Sequence, residues 1–153
     1  GCIGITIKKE LPNIDVTLTD ISTKALKVAK DNSKELDIKI IKSDILKNIK
    51  KENYDVLISN PPYISKDEYV MDLVKNNEPK KALYAKNNGL YFYEQILKDA
   101  KRILNKKYLI ALEIGRTQKE DIIKIINNYL ENVNIITKKD LQGNNRFIFI
   151  ISE

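Results

Sequence analysis

Strand-forming and helix-forming patterns alternate along this chain, and that alternation is the strongest constraint on its fold. Val16-Thr17-Leu18-Thr19 reads as a short strand ending at Asp20. Ser22 then suits the N-cap of a helix reaching about Leu36, with Ala25, Leu26, Ala29 and Leu36 at helical spacing. Ile38-Lys39-Ile40-Ile41 predicts a second strand, and Tyr54 to Ser59 a third, apolar enough to be buried on both faces. A short helix is expected over Asp67 to Lys75, followed by a polar loop from Asn76 to Asn88. Gly89 to Leu104 carries a helical stripe of Leu90, Tyr93, Ile96, Leu97, Ala100 and Leu104. Tyr108 to Ile114 predicts a fourth strand. Thr117-Gln118-Lys119-Glu120 then has the pattern of a capping box, with Thr at the cap and Glu three residues later, opening a helix to about Leu130.

Two final strands, Val133 to Lys138 and Arg146 to Ile151, flank the turn-rich Gln142-Gly143-Asn144-Asn145 with no helix between them. Strand-helix alternation requires a parallel sheet with helices on both faces, while the last pair can close as an antiparallel hairpin. The chain of 153 residues suits one α/β domain, and no linker, repeat or low-complexity segment interrupts it.

Composition narrows the chemistry. The sequence contains no histidine, which removes the usual general base, the usual serine and cysteine triads and most zinc sites. Cys2 is the sole cysteine, so neither an internal disulfide nor a cysteine metal cluster can form. No apolar run approaches the roughly 20 residues needed to cross a bilayer. The net charge of +6 comes from lysine, with Arg102, Arg116 and Arg146 as the arginines. No stripe interleaves basic residues with aromatic platforms, so the charge reads as biased composition rather than a nucleic-acid surface.

In sheets of this kind ligands bind beyond the carboxyl ends of the strands. Asp20 ends the first strand, where its carboxylate either accepts both hydroxyls of a ribose or helps cap the following helix. Asp44 ends the next strand, within Lys42-Ser43-Asp44-Ile45-Leu46. It is either an ordinary loop carboxylate or an acceptor for an exocyclic adenine amine, with Ile45 lying against the purine.

Asn60-Pro61-Pro62-Tyr63 is the sharper signal. Prolines just after a buried strand fix φ and release the preceding carbonyls from ladder pairing. The carboxamide oxygen of Asn60 and the carbonyl of Pro61 are then two acceptors that can hold both hydrogens of a planar –NH2 group. Held so, the nitrogen is drawn toward tetrahedral geometry and its lone pair is exposed to an electrophile. Tyr63 supplies a ring face to pack on the planar group. No general base need act before the attack, which agrees with a chain lacking imidazole.

Placed after a parallel strand, "SNPPYIS" resembles the amino-methylating branch of S-adenosylmethionine-dependent methyltransferases. Further matches over essentially the whole chain resemble the PrmC/HemK family, which methylates the glutamine side-chain amide in the GGQ motif of class-1 peptide chain release factors. They are "GCIGI", "TDIS", "SDIL", "NNEPKKAL", "NNGLYFYEQI", "LEIG" followed by Gln118, and "KDLQGNNRFI".

The resemblance implies a class I methyltransferase fold, a three-layer α/β sandwich with its last two strands antiparallel, and S-adenosyl-L-methionine as cofactor. It implies Gly1 as the last glycine of the cofactor loop, Asp20 at the ribose, Asp44 with Ile45 at the adenine, and Asn60 among the cofactor-binding residues. It further implies Asn60, Pro61, Pro62 and Tyr63 at the target amide, with Glu78 and Pro79 in a loop over the substrate pocket. Arg146 is expected to order the terminal hairpin, and Glu113 is a strand-end carboxylate with or without a role. A cytoplasmic monomer acting on release factors, with nucleic acid involved only indirectly, follows from the same resemblance. Adenine-N6 methyltransferases of DNA and RNA share Asn-Pro-Pro-Tyr and form the alternative, as does an inactive remnant of the fold.

The family pattern places a first strand, the glycine loop and an N-terminal helical domain ahead of the position matched by Gly1. On that pattern these 153 residues lack the central strand, and ladder groups are left unpaired there. This chain alone is therefore expected to bind S-adenosylmethionine weakly or not at all. Isothermal titration returning micromolar affinity for it would overturn that expectation.

Overall fold

The computed structural model describes residues 1–50, 53–65, 77 and 79–153, so the helix expected over Asp67 to Lys75 lies outside the described residues. The chain divides into two compact units, Gly1–Lys50 and Lys51–Glu153. No helix among the described residues is long and apolar enough to cross a membrane.

The first unit contains α1 (Cys2–Glu10), β1 (Val16–Asp20), α2 (Thr23–Asn32) and β2 (Ile38–Lys42). The strands pair in parallel, from Val16 opposite Ile38 to Asp20 opposite Lys42. Ser22 is the N-cap of α2 as the sequence suggests, its hydroxyl accepting from the Ala25 N–H at 3.3 Å. The helix stops at Asn32 rather than near Leu36, because the Ser33 hydroxyl donates to the Ala29 carbonyl at 2.9 Å and competes with the backbone ladder. Helix α1 lies close on β1 at Gly4, where an added Cβ would stand 2.2 Å from Leu18 Cδ2. Its exit is closed by Lys8, a buried lysine whose ammonium donates to the carbonyls of Pro12 and Ile14 at 3.0 and 2.8 Å. Those two bonds satisfy the charge that burial would otherwise penalise.

The second unit holds β3 (Tyr54–Ser59), α3 (Lys80–Leu83), α4 (Tyr91–Ile103), β4 (Leu104–Glu113), α5 (Lys119–Tyr129), β5 (Val133–Lys139) and β6 (Asn145–Ser152). Its sheet runs in the order β3-β4-β6-β5, with β3 parallel to β4 and the remaining pairs antiparallel. The mixed sheet with a terminal antiparallel hairpin is the one expected from the sequence. Alternation builds the core: Ile110 pairs with Ile150 and Leu112 with Ile148, and all four are buried on one face. Helix α4 turns Tyr93, Ile96, Leu97, Ala100 and Ile103 inward, and α5 buries Ile122 and Ile126.

Three sequence expectations fail here, the first being the loop expected from Asn76 to Asn88, which contains α3 (Lys80–Leu83). Strand β3 is not buried on both faces: Leu57 is, whereas Val56 and Ile58 are 47% and 44% exposed. Successive side chains leave a strand on opposite sides, and Val56 and Ile58 share the face that also leaves Ile136, Phe147 and Ile151 exposed. The capping box is also absent. Gln118, in helical backbone geometry, is the cap residue of α5, and no side chain caps the helix.

The two faces of the sheet predict different costs for losing an isoleucine. Ile150→Ala, at a site with no exposure, is expected to lose about 2–5 kcal/mol, while Ile58→Ala loses less than about 1 kcal/mol. Urea denaturation of the two variants measures the difference.

Candidate functional site

In the first unit the polar residues singled out from the sequence stand at neighbouring strand ends. Asp20 closes β1, and its backbone carbonyl accepts from the Ser43 N–H at 3.0 Å, which ties the exit of β2 to the exit of β1. Its carboxylate Oδ1 accepts from the Ser22 N–H at 2.7 Å, so the helix-entry role is present in the structure. Ser43 is buried, and its hydroxyl accepts from the Asn48 N–H at 3.1 Å, folding the segment after β2 into a tight turn. Asp44 leads that turn with a partly exposed carboxylate that pairs with the Lys47 ammonium. Ile45 follows at φ 57°, a left-handed conformation that a β-branched residue rarely adopts.

Gly1 is placed differently. It precedes α1 and lines an open cleft of about 550 Å³ between α1 and α2, together with Cys2, Ile5, Ala25, Val28 and Ala29. A Cβ on Gly1 would stand 3.0 Å from the Ala29 Cβ. Asp20, Asp44 and Ile45 do not line this cleft.

In the second unit Asn60-Pro61-Pro62-Tyr63 follows directly on β3. Asn60 is exposed, Pro61 buried, and Pro62 and Tyr63 half-buried. The segment leaves the strand under restraint from three sides. The Tyr63 carbonyl accepts from Gln118 Nε2 at 2.9 Å. The Tyr63 hydroxyl receives Arg146 Nη1 at 3.4 Å. The next residue, Ile64, donates its N–H to the Leu83 carbonyl at 3.0 Å and accepts from the Ala85 N–H at 2.9 Å. Of the loop expected over the pocket, Glu78 lies outside the described residues. Pro79 is exposed, and its carbonyl accepts from the Ala82 N–H at 2.8 Å as the chain enters α3.

Gln118 joins three loops. It accepts at Oε1 from the Gly115 N–H at 3.1 Å and donates from Nε2 to the carbonyls of Tyr63 and Asn88, the latter at 3.2 Å. The turn that brings Asn88 within reach has three successive left-handed residues, Asn87, Asn88 and Gly89, at φ 54°, 51° and 84°. Only glycine fits the last. A Cβ there would lie 2.1 Å from the Tyr63 carbonyl oxygen and 2.3 Å from Gln118 Nε2.

Arg146 orders the terminal hairpin. Its guanidinium pairs with Asp140 at 3.2 Å and donates to the Ile114 carbonyl at 3.4 Å. Asp140 accepts from the N–H groups of Gln142 and Asn144 at 3.0 and 2.9 Å, closing the turn. Donation by the Asn144 N–H, outweighing partial desolvation and joined by Arg146 and Gln142, holds the Asp140 carboxyl below its usual range. Glu113 enters the network through its backbone, since its carbonyl accepts from the Tyr93 hydroxyl at 2.9 Å. Burial pushes the Tyr93 phenol far above its ordinary value, with Tyr63 and Glu113 adding and Arg146 opposing, so it remains a donor.

Within the second unit, then, the structure gathers Tyr63, Gln118, Gly89, Gly115 and Arg146. Gln118, Gly89 and Gly115 were not recognised as site residues from the sequence. The available signals were a glutamine where Ser, Thr, Asp or Asn is the usual cap and an Asn-Asn-Gly run demanding positive φ.

The methyltransferase small domain family model matches residues 1–89. A bifunctional methyltransferase of Rickettsia prowazekii is 42% identical over 156 residues, covering 98% of this chain and 30% of that protein. A release factor glutamine methyltransferase of Fusobacterium nucleatum is 41% identical over 155 residues, covering 97% of this chain and 43% of that one. The chain thus spans less than half the length of these two relatives. A solved methyltransferase from Pyrococcus furiosus superposes with a TM-score of 0.70 at 20% identity, covering 95% of this chain and 66% of that chain. That likeness shows the fold.

The depressed Asp140 carboxyl makes a signed prediction. A folded-state value below 3.8 contributes stability that is fully present above the unfolded value and is lost as pH falls through the folded one. Asp140→Asn is therefore expected to melt below the wild type at neutral pH, with the gap closing below about pH 4. Thermal melts across the acid range measure this.

Proposed function

Because this chain belongs to the methyltransferase small domain family, we propose that its protein transfers a methyl group from S-adenosyl-L-methionine to an amide nitrogen. The acceptor is the side chain of the glutamine in the GGQ motif of class-1 peptide chain release factors. The observation that carries this reading is Asn60-Pro61-Pro62-Tyr63 at the carboxyl end of β3, with Tyr63 held at both its carbonyl and its hydroxyl. The Fusobacterium nucleatum relative, named a release factor glutamine methyltransferase, supports the choice of acceptor.

The donor set in the first unit fits the cofactor. Two carboxylates, Asp20 and Asp44, occupy adjacent strand ends whose spacing is maintained by the Ser43 N–H on the Asp20 carbonyl. Asp20 would accept ribose hydroxyls through the carboxylate oxygen not given to Ser22, and Asp44 the adenine amine. Ile45 would meet the purine face, and Gly1, which lines the separate cleft between α1 and α2, would end the loop around the methionine part. Bound there, S-adenosylmethionine supplies an electrophilic methyl group on its sulfonium.

The acceptor side is the work of this chain's own residues. The Asn60 carboxamide oxygen and the Pro61 carbonyl take the two hydrogens of the substrate amide, orienting its nitrogen without prior deprotonation. Fixed φ at Pro61 and Pro62 limits the drift of that carbonyl. The Tyr63 ring packs on the plane of the amide. Pro79 would belong to a loop over the substrate amide, and residues 1–153 would act as one catalytic domain in the cytoplasm.

Asn60→Ala removes one of two positioning acceptors without touching the core. In the full-length protein it is expected to lower kcat by about 100-fold, with the fold retained. The assay is transfer of labelled methyl from S-adenosylmethionine in the presence of a release factor and DNA. Label on the release factor, lost in the variant, bears the reading out. Label on DNA would replace it with adenine-N6 methylation, no label with an inactive remnant, and wild-type rates for Asn60→Ala would remove the proposed role of Asn60.

A further inference from the structure

The geometry points to Gln118 as a positioning residue that holds the Asn60 to Tyr63 segment in its working shape. The proposal rests on the reading of that segment as the acceptor clamp. Every polar atom of the Gln118 amide is engaged. Oε1 accepts from Gly115, and the two N–H bonds of Nε2 are divided between the carbonyls of Tyr63 and Asn88. The side chain is buried, so these bonds are shielded from water and costly to lose. It forgoes the capping position open to it at the start of α5, where no side-chain cap bond is made.

The surrounding backbone is shaped to admit that amide. A Cβ on Gly115 would stand 2.7 Å from Oε1, and one on Gly89 would stand 2.3 Å from Nε2. Two loops thus give up side chains at the points where the third meets them. The Asn87-Asn88-Gly89 turn holds three successive left-handed residues, which places the Asn88 carbonyl on the same nitrogen.

What this grip controls follows from the torsions between Asn60 and Ile64. Pro61 and Pro62 have fixed φ, leaving few soft angles from the strand end to the Tyr63 peptide. The Tyr63 carbonyl is fixed by Gln118, and the Ile64 N–H beyond it by the Leu83 carbonyl. Without the Nε2 donors, the Tyr63–Ile64 peptide keeps its N–H bond to Leu83 and loses the Gln118 bond at its carbonyl, so its plane is held less tightly. The orientation shared by the Pro61 carbonyl and the Tyr63 ring is then less sharply set. Gln118 bonds Gly115, Tyr63 and Asn88 rather than Asn60 or Pro61, and acts only through this loop.

Two variants test the proposal in the full-length protein. Gln118→Met keeps the volume and loses all three hydrogen bonds. Gln118→Glu keeps the acceptor for the Gly115 N–H and loses the donors. Both are expected to lower kcat for methylation of the release factor on the order of tenfold, with KM for S-adenosylmethionine within about twofold. In protein carrying carbon-13 tyrosine, the Tyr63 ring resonances are expected to shift in both. Combined with Asn60→Ala, Gln118→Met should add little further loss, because both act on one loop.

Wild-type kcat in both Gln118 variants, while Asn60→Ala is impaired, overturns the role of Gln118 and leaves the acceptor clamp standing. Wild-type kcat in all three overturns the clamp itself. An unmoved Tyr63 resonance, or losses that simply multiply in the double variant, also overturns the positioning role.

Discussion

Parallel pairing of β3 with β4 is the constraint on which the second unit depends. Ser59 stands opposite Leu112 at the end of that register, so both strands leave the sheet side by side and in the same direction. Beyond this line the ladder no longer satisfies backbone groups, and each loop must find its own partners. The loop after β3 carries two prolines, which donate nothing, and that after β4 turns through Gly115 toward α5. One buried amide, that of Gln118, closes both and adds the turn before α4. A single side chain thus replaces a backbone ladder where the chain must become irregular.

The antiparallel hairpin supplies the second tether. Strand β6 runs back along β4, with Phe147 opposite Glu113 and the Arg146 carbonyl accepting from the Ile114 N–H at 2.9 Å. That pairing delivers the Arg146 guanidinium to the end of β4, next to the Tyr63 hydroxyl. Asp140 holds it from the turn, in a half-buried pair with backbone donors on the same carboxylate. The hairpin therefore reaches the Asn60 to Tyr63 loop through one arginine anchored at its base. The first unit solves a related problem with backbone alone, where the Ser43 N–H on the Asp20 carbonyl holds two strand ends together.

Much of this was legible in local pattern. The Ser22 cap and the amphipathic stripe of α4 depend on residues close in sequence and appear as expected. The misreadings share a cause. Thr117 and Glu120 satisfy the capping-box spacing, yet the turn is pulled toward the Tyr63 carbonyl by a glutamine whose partners lie 30 and 55 residues away. Ser33 ends α2 early because its hydroxyl competes for a carbonyl, a contest that apolar spacing does not register. The apolar run of β3 says nothing about which face is covered, and the structure leaves Val56 and Ile58 exposed.

The sequence by itself determined the order of elements, the antiparallel ending and the chemistry offered at each strand end, because apolar periodicity and proline restriction act over a few residues. It also removed imidazole from that chemistry, since it contains no histidine. Only the tertiary structure decided that Gln118 would hold Tyr63, that Gly89 would stand against its carbonyl and that Arg146 would reach its hydroxyl. Those contacts join residues 26, 55 and 83 positions apart. No local preference encodes them, and they exist because strand pairing brings distant loops to one edge where unsatisfied polar groups must find each other.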